Sequence, residues 1–158
     1  MLDDLLGALA ASPPATALRA SRVVYPVVNA LHILGLAALF GAILALDLRL
    51  LGVARSIPAQ PLARFLPRVA AAGLGAAVLS GLVLFTVQPA DYIGNRAFLL
   101  KVALVGIGAL HAVSVHRSGA WRRFAAGGGA VEKRLRLSAA LSLAIWVAAI
   151  LAGRFIAF

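Results

Sequence analysis

Charge is missing from four long stretches of this chain, and that absence constrains the fold more than any motif. Val23 to Leu46 gives 24 residues without Asp, Glu, Lys or Arg, and Val69 to Ala90 gives 22 between Arg68 and Asp91. Ala97 to His116 is interrupted only by Lys101; Leu137 to Gly153 gives 17, extended past Arg154 by Phe155 to Phe158. About 20 apolar residues carry a helix across the hydrocarbon core. Four transmembrane helices are therefore expected, over residues 23–46, 69–90, 97–116 and 137–156. Apolar and polar residues do not alternate along these runs, which excludes a β-barrel. The expected fold class is all-α, an integral membrane four-helix bundle forming a single domain over residues 1–158.

Composition enters as a check on the solvent. Hydrophobic residues make up 63% of the chain and charged residues 13%. A soluble domain is about half apolar and about a quarter charged, so this chain has too little charge to wet a globular surface. The lipid bilayer is its expected partner. The formal net charge is +10, but the basic residues fall between the apolar runs rather than on one face, where nucleic-acid binding needs them. No nucleic-acid partner is expected. There is no Cys, and the only Met is Met1, which excludes disulfides and iron–sulfur ligation within the chain. It also weakens a Cu(I) site, which wants thiolate or thioether ligands.

Basic residues also orient the bundle. The connection from Asp47 to Arg68 holds Arg49, Arg55, Arg64 and Arg68; that from Arg117 to Arg136 holds Arg117, Arg122, Arg123, Lys133, Arg134 and Arg136. The opposite side has Arg19, Arg22, Arg96 and Arg154. Ten against four places the connections in the cytoplasm and both termini outside, in the bacterial inner membrane as a multi-pass protein. Residues 1–22 read as an interfacial segment. Leu2, Leu5, Leu6 and Leu9 share a helical face opposite Asp3 and Asp4, and Pro13 and Pro14 end that short amphipathic helix. The first charges are acidic, unlike a signal peptide, so insertion is expected to rely on the first span. Tyr25 and Tyr92 fit an outer aromatic belt and Trp121 an inner one. Gly127, Gly128 and Gly129 read as a hinge. Gly73, Ala77 and Gly81 recur at four-residue spacing, a pattern that lets helix backbones approach closely.

Ionisable groups inside a bilayer are functional candidates. His32 lies roughly 14 Å into the first span by helical rise. Tyr25, Asn29 and His32 follow i, i+4, i+7 spacing, so one polar stripe is expected to face the bundle interior. A neutral His32 either ligates a metal or haem iron or bridges two helices by hydrogen bonds. Lys101 either snorkels outward or faces inward toward an acidic group. His111 is deep and without an acidic neighbour, which suits a metal-bound or hydrogen-bonded neutral ring. His116, beside Arg117, suits an interfacial helix C-terminus. The two stand nearly 140° apart on one helix, so they are not a pair on one face. His32 and His111 differ in depth by about 6 Å by helical rise, which leaves an axial pair around one haem open. Trp146 either walls such a group or packs. Asp47 closes the first span, and Arg49 or an arginine of the other connection is its expected partner.

These residues carry a resemblance. The stretch from Tyr25-Pro26 through His32 to Asp47-Leu48-Arg49-Leu50-Leu51-Gly52, then Asn95-Arg96-Ala97-Phe98-Leu99-Leu100-Lys101 and on to His116-Arg117, resembles a bacterial family of small membrane proteins of unknown function. The layout is more distantly similar to the haem-containing membrane protoporphyrinogen oxidases and to the copper-resistance D membrane proteins. The oxidases place a His in their first helix and a Lys at the start of the third, corresponding to His32 and Lys101. They also carry His residues late in the third, near His111 and His116. The expectation is then an integral membrane b-type haem (heme b) protein moving electrons, with a quinone or porphyrin-like ligand. His32 is the first axial ligand, His111 the second and His116 the reserve; Lys101 anchors a propionate. The alternatives are a small-solute or metal-ion transporter or channel subunit, and a non-catalytic subunit of a larger complex or homo-oligomer.

Overall fold

The computed structural model describes residues 1–53, 55–127 and 130–156. Among them there is no strand, and eight helices follow one another: α1 (Leu2–Ala10), α2 (Pro13–Ala20), α3 (Val24–Leu51), α4 (Ala59–Phe85), α5 (Pro89–Gly94), α6 (Arg96–Arg117), α7 (Gly119–Ala125) and α8 (Lys133–Phe155). The helices α3, α4, α6 and α8 are long and apolar enough to cross a membrane. Their outward surfaces carry Leu31, Leu34, Leu79, Leu110, Leu137 and Leu151, all more than half exposed. Such a surface suits hydrocarbon, because large exposed apolar patches in water drive association.

The helices run further than the uncharged stretches. The first does not stop at Asp47 but continues to Leu51, where Gly52 takes a left-handed conformation (φ 101°) and the amides of Gly52 and Val53 close on Arg49 and Leu48. Glycine adopts that conformation without steric cost. The second begins at Ala59, about ten residues before the charge-free run, and carries Arg64, Pro67 and Arg68 inside it. Its C-terminal end falls at Phe85, and Pro89 starts the separate short helix α5. Gly128, Gly129, Ala157 and Phe158 lie outside the described residues, so the hinge and the end of the last span are described only at Gly127 (φ 83°) and up to Ile156.

Two seams, α3 with α4 and α6 with α8, are joined by contact between α3 and α8; α4 and α6 share no comparable seam. The α3–α4 seam is built on the small-residue stripe. A Cβ on Gly73 would stand 2.6 Å from the Leu39 amide nitrogen and 2.7 Å from the Gly35 carbonyl oxygen; one on Gly35 would stand 2.8 Å from the Ala77 nitrogen. The two backbones touch there, a contact open only to glycine. On the other seam Gly108 of α6 receives the Trp146 ring of α8, which lies 2.8 Å from where its Cβ would be.

The remaining helices close the ends. At the terminal end, Arg19 donates to the carbonyls of Ala10 and Val87, tying α1, α2 and the α4–α5 turn together. Asn95 caps α6 by accepting from the amides of Ala97 and Phe98, and its amide donates to Ile156 beyond α8. Tyr92 is half-buried against Phe85 and Phe98, more packed than a belt residue; burial pushes its hydroxyl above the ordinary tyrosine range. At the basic end Ser118 caps α7 through the Trp121 amide. Trp121 is buried among Leu46, Leu50, Ala63, Phe124 and Leu135. Gln60 of α4 donates to Ala126, and Arg123 pairs with Glu132 at 2.8 Å.

The seam yields a direct test. Gly73→Val is expected to cost about 1–3 kcal/mol, the usual penalty of overpacking, and to lower the melting temperature in detergent. Gly75, two residues on, has nothing within 4 Å of where a Cβ would be, so Gly75→Val should leave melting nearly unchanged. Equal effects at both positions would contradict the seam.

Candidate functional site

The stripe expected on α3 is not the face that packs. Gly35, Leu39, Ala42 and Leu46 are buried, while Tyr25 and Asn29 are exposed. The cause is the glycine contact: α3 turns Gly35 onto Gly73, and the neighbouring register brings in His32 but leaves Asn29 outside. His32 is half-buried in the α3–α4 seam. Its Nδ1 donates to the Ala77 carbonyl at 2.8 Å with Ser80 Oγ at 3.2 Å, and its Cε1 lies 3.0 Å from where a Gly81 Cβ would be. The third small residue of the stripe thus makes room for an imidazole.

Lys101 is half-buried, its stem lying along Gly153 of α8. His111 belongs to the other seam, where Nε2 donates to the Ser138 carbonyl at 3.1 Å and meets Ser138 Oγ at the same distance. His116 is more than an interfacial residue. Its Nδ1 donates to Ala112 of the preceding turn at 2.7 Å, and its ring rests 4.3 Å from that of Trp121.

Toward the basic end the bundle holds a half-open cavity of about 450 Å³. Its walls come from all four long helices because α4 and α6 do not close on each other. Leu39, Ala42 and Leu46 line it from α3, and Pro67 and Ala70 from α4. Its polar lining is Asp47, His111, His116, Ser138 and Ser142, with Arg117 at the edge and Trp121 and Trp146 as aromatic walls. Pro67 cannot donate to the carbonyl one turn back, so α4, though continuous, lacks one hydrogen bond where it passes the cavity.

Asp47 is the least expected member. It is 6% exposed, and it lines the cavity together with Ser142 of α8. Arg49 instead donates to the Ile57 carbonyl at 2.9 Å. Two residues along a helix turn about 200°, so Arg49 leaves the bundle on the side opposite to Asp47. Among the described residues no arginine pairs with Asp47, contrary to the expectation from the sequence.

The structure therefore brings His111, His116 and Asp47 to one cavity and keeps His32 apart. By helical rise His32 stands about 10 Å from Leu39, where the α3 wall begins. His32 and His111 sit on separate seams, each already bonded to a backbone carbonyl, and present no facing pair of imidazoles to one macrocycle. Among the described residues no three of His, Cys, Asp or Glu are grouped to hold a metal ion. Comparison with family models, curated proteins and solved structures finds no match. The assignment accordingly rests on the geometry of the cavity. Sequence reasoning missed Ser138, Ser142 and Gly108. The serines carried a faint signal, four residues apart on the last span, as neighbours do on one helix face.

Proposed function

We propose that this protein binds a small amphipathic solute between its spans, as the binding unit of a carrier or channel in the bacterial inner membrane. The observation that carries this reading is the cavity itself. Its 450 Å³ falls in the size range of small-molecule sites, about 300–1,000 Å³, which pair apolar walls with a few converging polar groups. Here the polar groups come from α3, α6 and α8, and a polar group inside a bilayer is costly unless it serves.

The haem reading has less support, since it draws on His32 and His111 together and these stand on different seams. No step is assigned to a haem.

The orientation we propose puts the basic connections in the cytoplasm. Lys133, Arg134 and Arg136 open α8, although cations are unfavourable at a helix N-terminus; their retention there agrees with the positive-inside rule.

Two measurements test this reading. Ala70 lines the cavity from α4, and Ala70→Phe should fill it, abolishing solute-induced thermal stabilisation across a panel of amphipathic compounds while the unliganded protein melts normally. A purified protein that no compound stabilises, or one with a Soret band abolished by His32→Ala, would overturn the reading. The chain has no Cys, so single cysteines report sidedness. Thr16→Cys should react with an impermeant maleimide on spheroplasts, and Ser56→Cys only after permeabilisation; the reverse pattern would invert the orientation.

A further inference from the structure

Two buried polar atoms in the cavity have no partner among the described residues: Asp47 Oδ2 and His116 Nε2. They come from different helices, α3 and α6, and both residues line the same space. Native proteins rarely leave such atoms unsatisfied, because each costs about 1–3 kcal/mol.

Their chemistry restricts what would satisfy them. The Ala112 carbonyl can only accept, so His116 Nδ1 carries the proton of that bond. In a neutral ring Nε2 is then an acceptor. An ionised carboxylate also only accepts, and Asp47 Oδ2 has no donor among the described residues. With Asp47 ionised, as a bound cation would hold it, a ligand that fits both atoms donates at least twice.

Charge narrows the class further. Among the described residues Asp47 has no cation paired with it; the ion pairs at the two ends of the bundle are Met1–Asp4 and Arg123–Glu132. The one arginine on the cavity lining, Arg117, is exposed at the edge. A carboxylate in a medium of low dielectric constant is stabilised chiefly by a bonded counter-charge. A metal ion would need more ligands than these two. An organic ammonium needs only acceptors and room for its apolar body, and aromatic rings favour it through their faces. Trp121 and Trp146 stand on the lining.

We infer that the cavity is a site for a lipophilic primary or secondary ammonium, with Asp47 as its counter-ion, His116 Nε2 as second acceptor and the apolar walls around its hydrocarbon part. This deepens the solute-binding reading and rests on it.

The chain contains two tryptophans, and both line the cavity, so intrinsic fluorescence reports on this site. The test titrates the full-length protein in nanodiscs with a long-chain bromoalkylamine, whose bromine quenches tryptophan on contact, and with the corresponding neutral bromoalkanol. The amine should quench saturably at low concentration, and the alcohol only weakly and linearly. Asp47→Asn, nearly isosteric, should raise the amine's Kd at least about tenfold, equivalent to 1.4 kcal/mol, without altering the alcohol. Should Asp47→Asn fold poorly, His116→Phe supplies the same comparison with a smaller loss. Saturable quenching by both probes, insensitive to Asp47 and His116, would overturn the ammonium assignment and leave the solute cavity standing. Absence of saturable quenching by either probe, together with no stabilisation by any compound in the panel, would overturn both.

Discussion

The whole arrangement depends on a backbone contact. In hydrocarbon the hydrophobic effect gives no drive for one helix to leave lipid for another, so association rests on packing and on bonds between helices. Gly35 and Gly73 supply the packing by letting α3 and α4 meet at van der Waals distance. His32 adds a bond across the same seam, to Ala77. Gly108 and Trp146 do the corresponding work between α6 and α8. With α3 committed to both α4 and α8, α4 and α6 stay apart, and the cavity is the space left between them. Function, in this account, is a consequence of two tight seams that leave a third unmade.

The spans were legible because lipid punishes charge so strongly that four runs had to be free of it. Their ends were less so. Charge marks where a chain leaves hydrocarbon, and a helix does not stop there: α3 carries Asp47 and Arg49 within it, and α4 includes Arg64 and Arg68. The stripe Gly73, Ala77 and Gly81 could be read as a close-packing face, yet its partner Gly35 could not, since a lone glycine gives no period. Without that partner the rotation of α3 was open, and the Tyr25–Asn29–His32 stripe was turned inward when only His32 is.

Individual site residues were identified more readily than their groupings. His32, Lys101, His111 and His116 stood out because ionisable groups are rare in such runs. Which of them share a space is decided by seams between helices distant in sequence, and no local pattern encodes it. The sequence suggests Arg49 or an arginine of the other connection as partner for Asp47; helical rotation sends Arg49 the other way. Ser138 and Ser142 were unremarked because serines are common on transmembrane helices as backbone-bonding residues. Their importance appears only where they meet His111 and Asp47.

The account's central claim is that the two tryptophans wall an internal space rather than face lipid or water; Trp121 and Trp146 are 7% and 4% exposed. Tryptophan quenching in bilayers of phospholipids brominated at successive acyl positions, set against aqueous acrylamide, measures this directly. Weak quenching by both, at every depth of bromination, is the predicted result. Strong quenching by lipids brominated near mid-chain would put Trp146 on the outside of the bundle, and the cavity would have no aromatic walls.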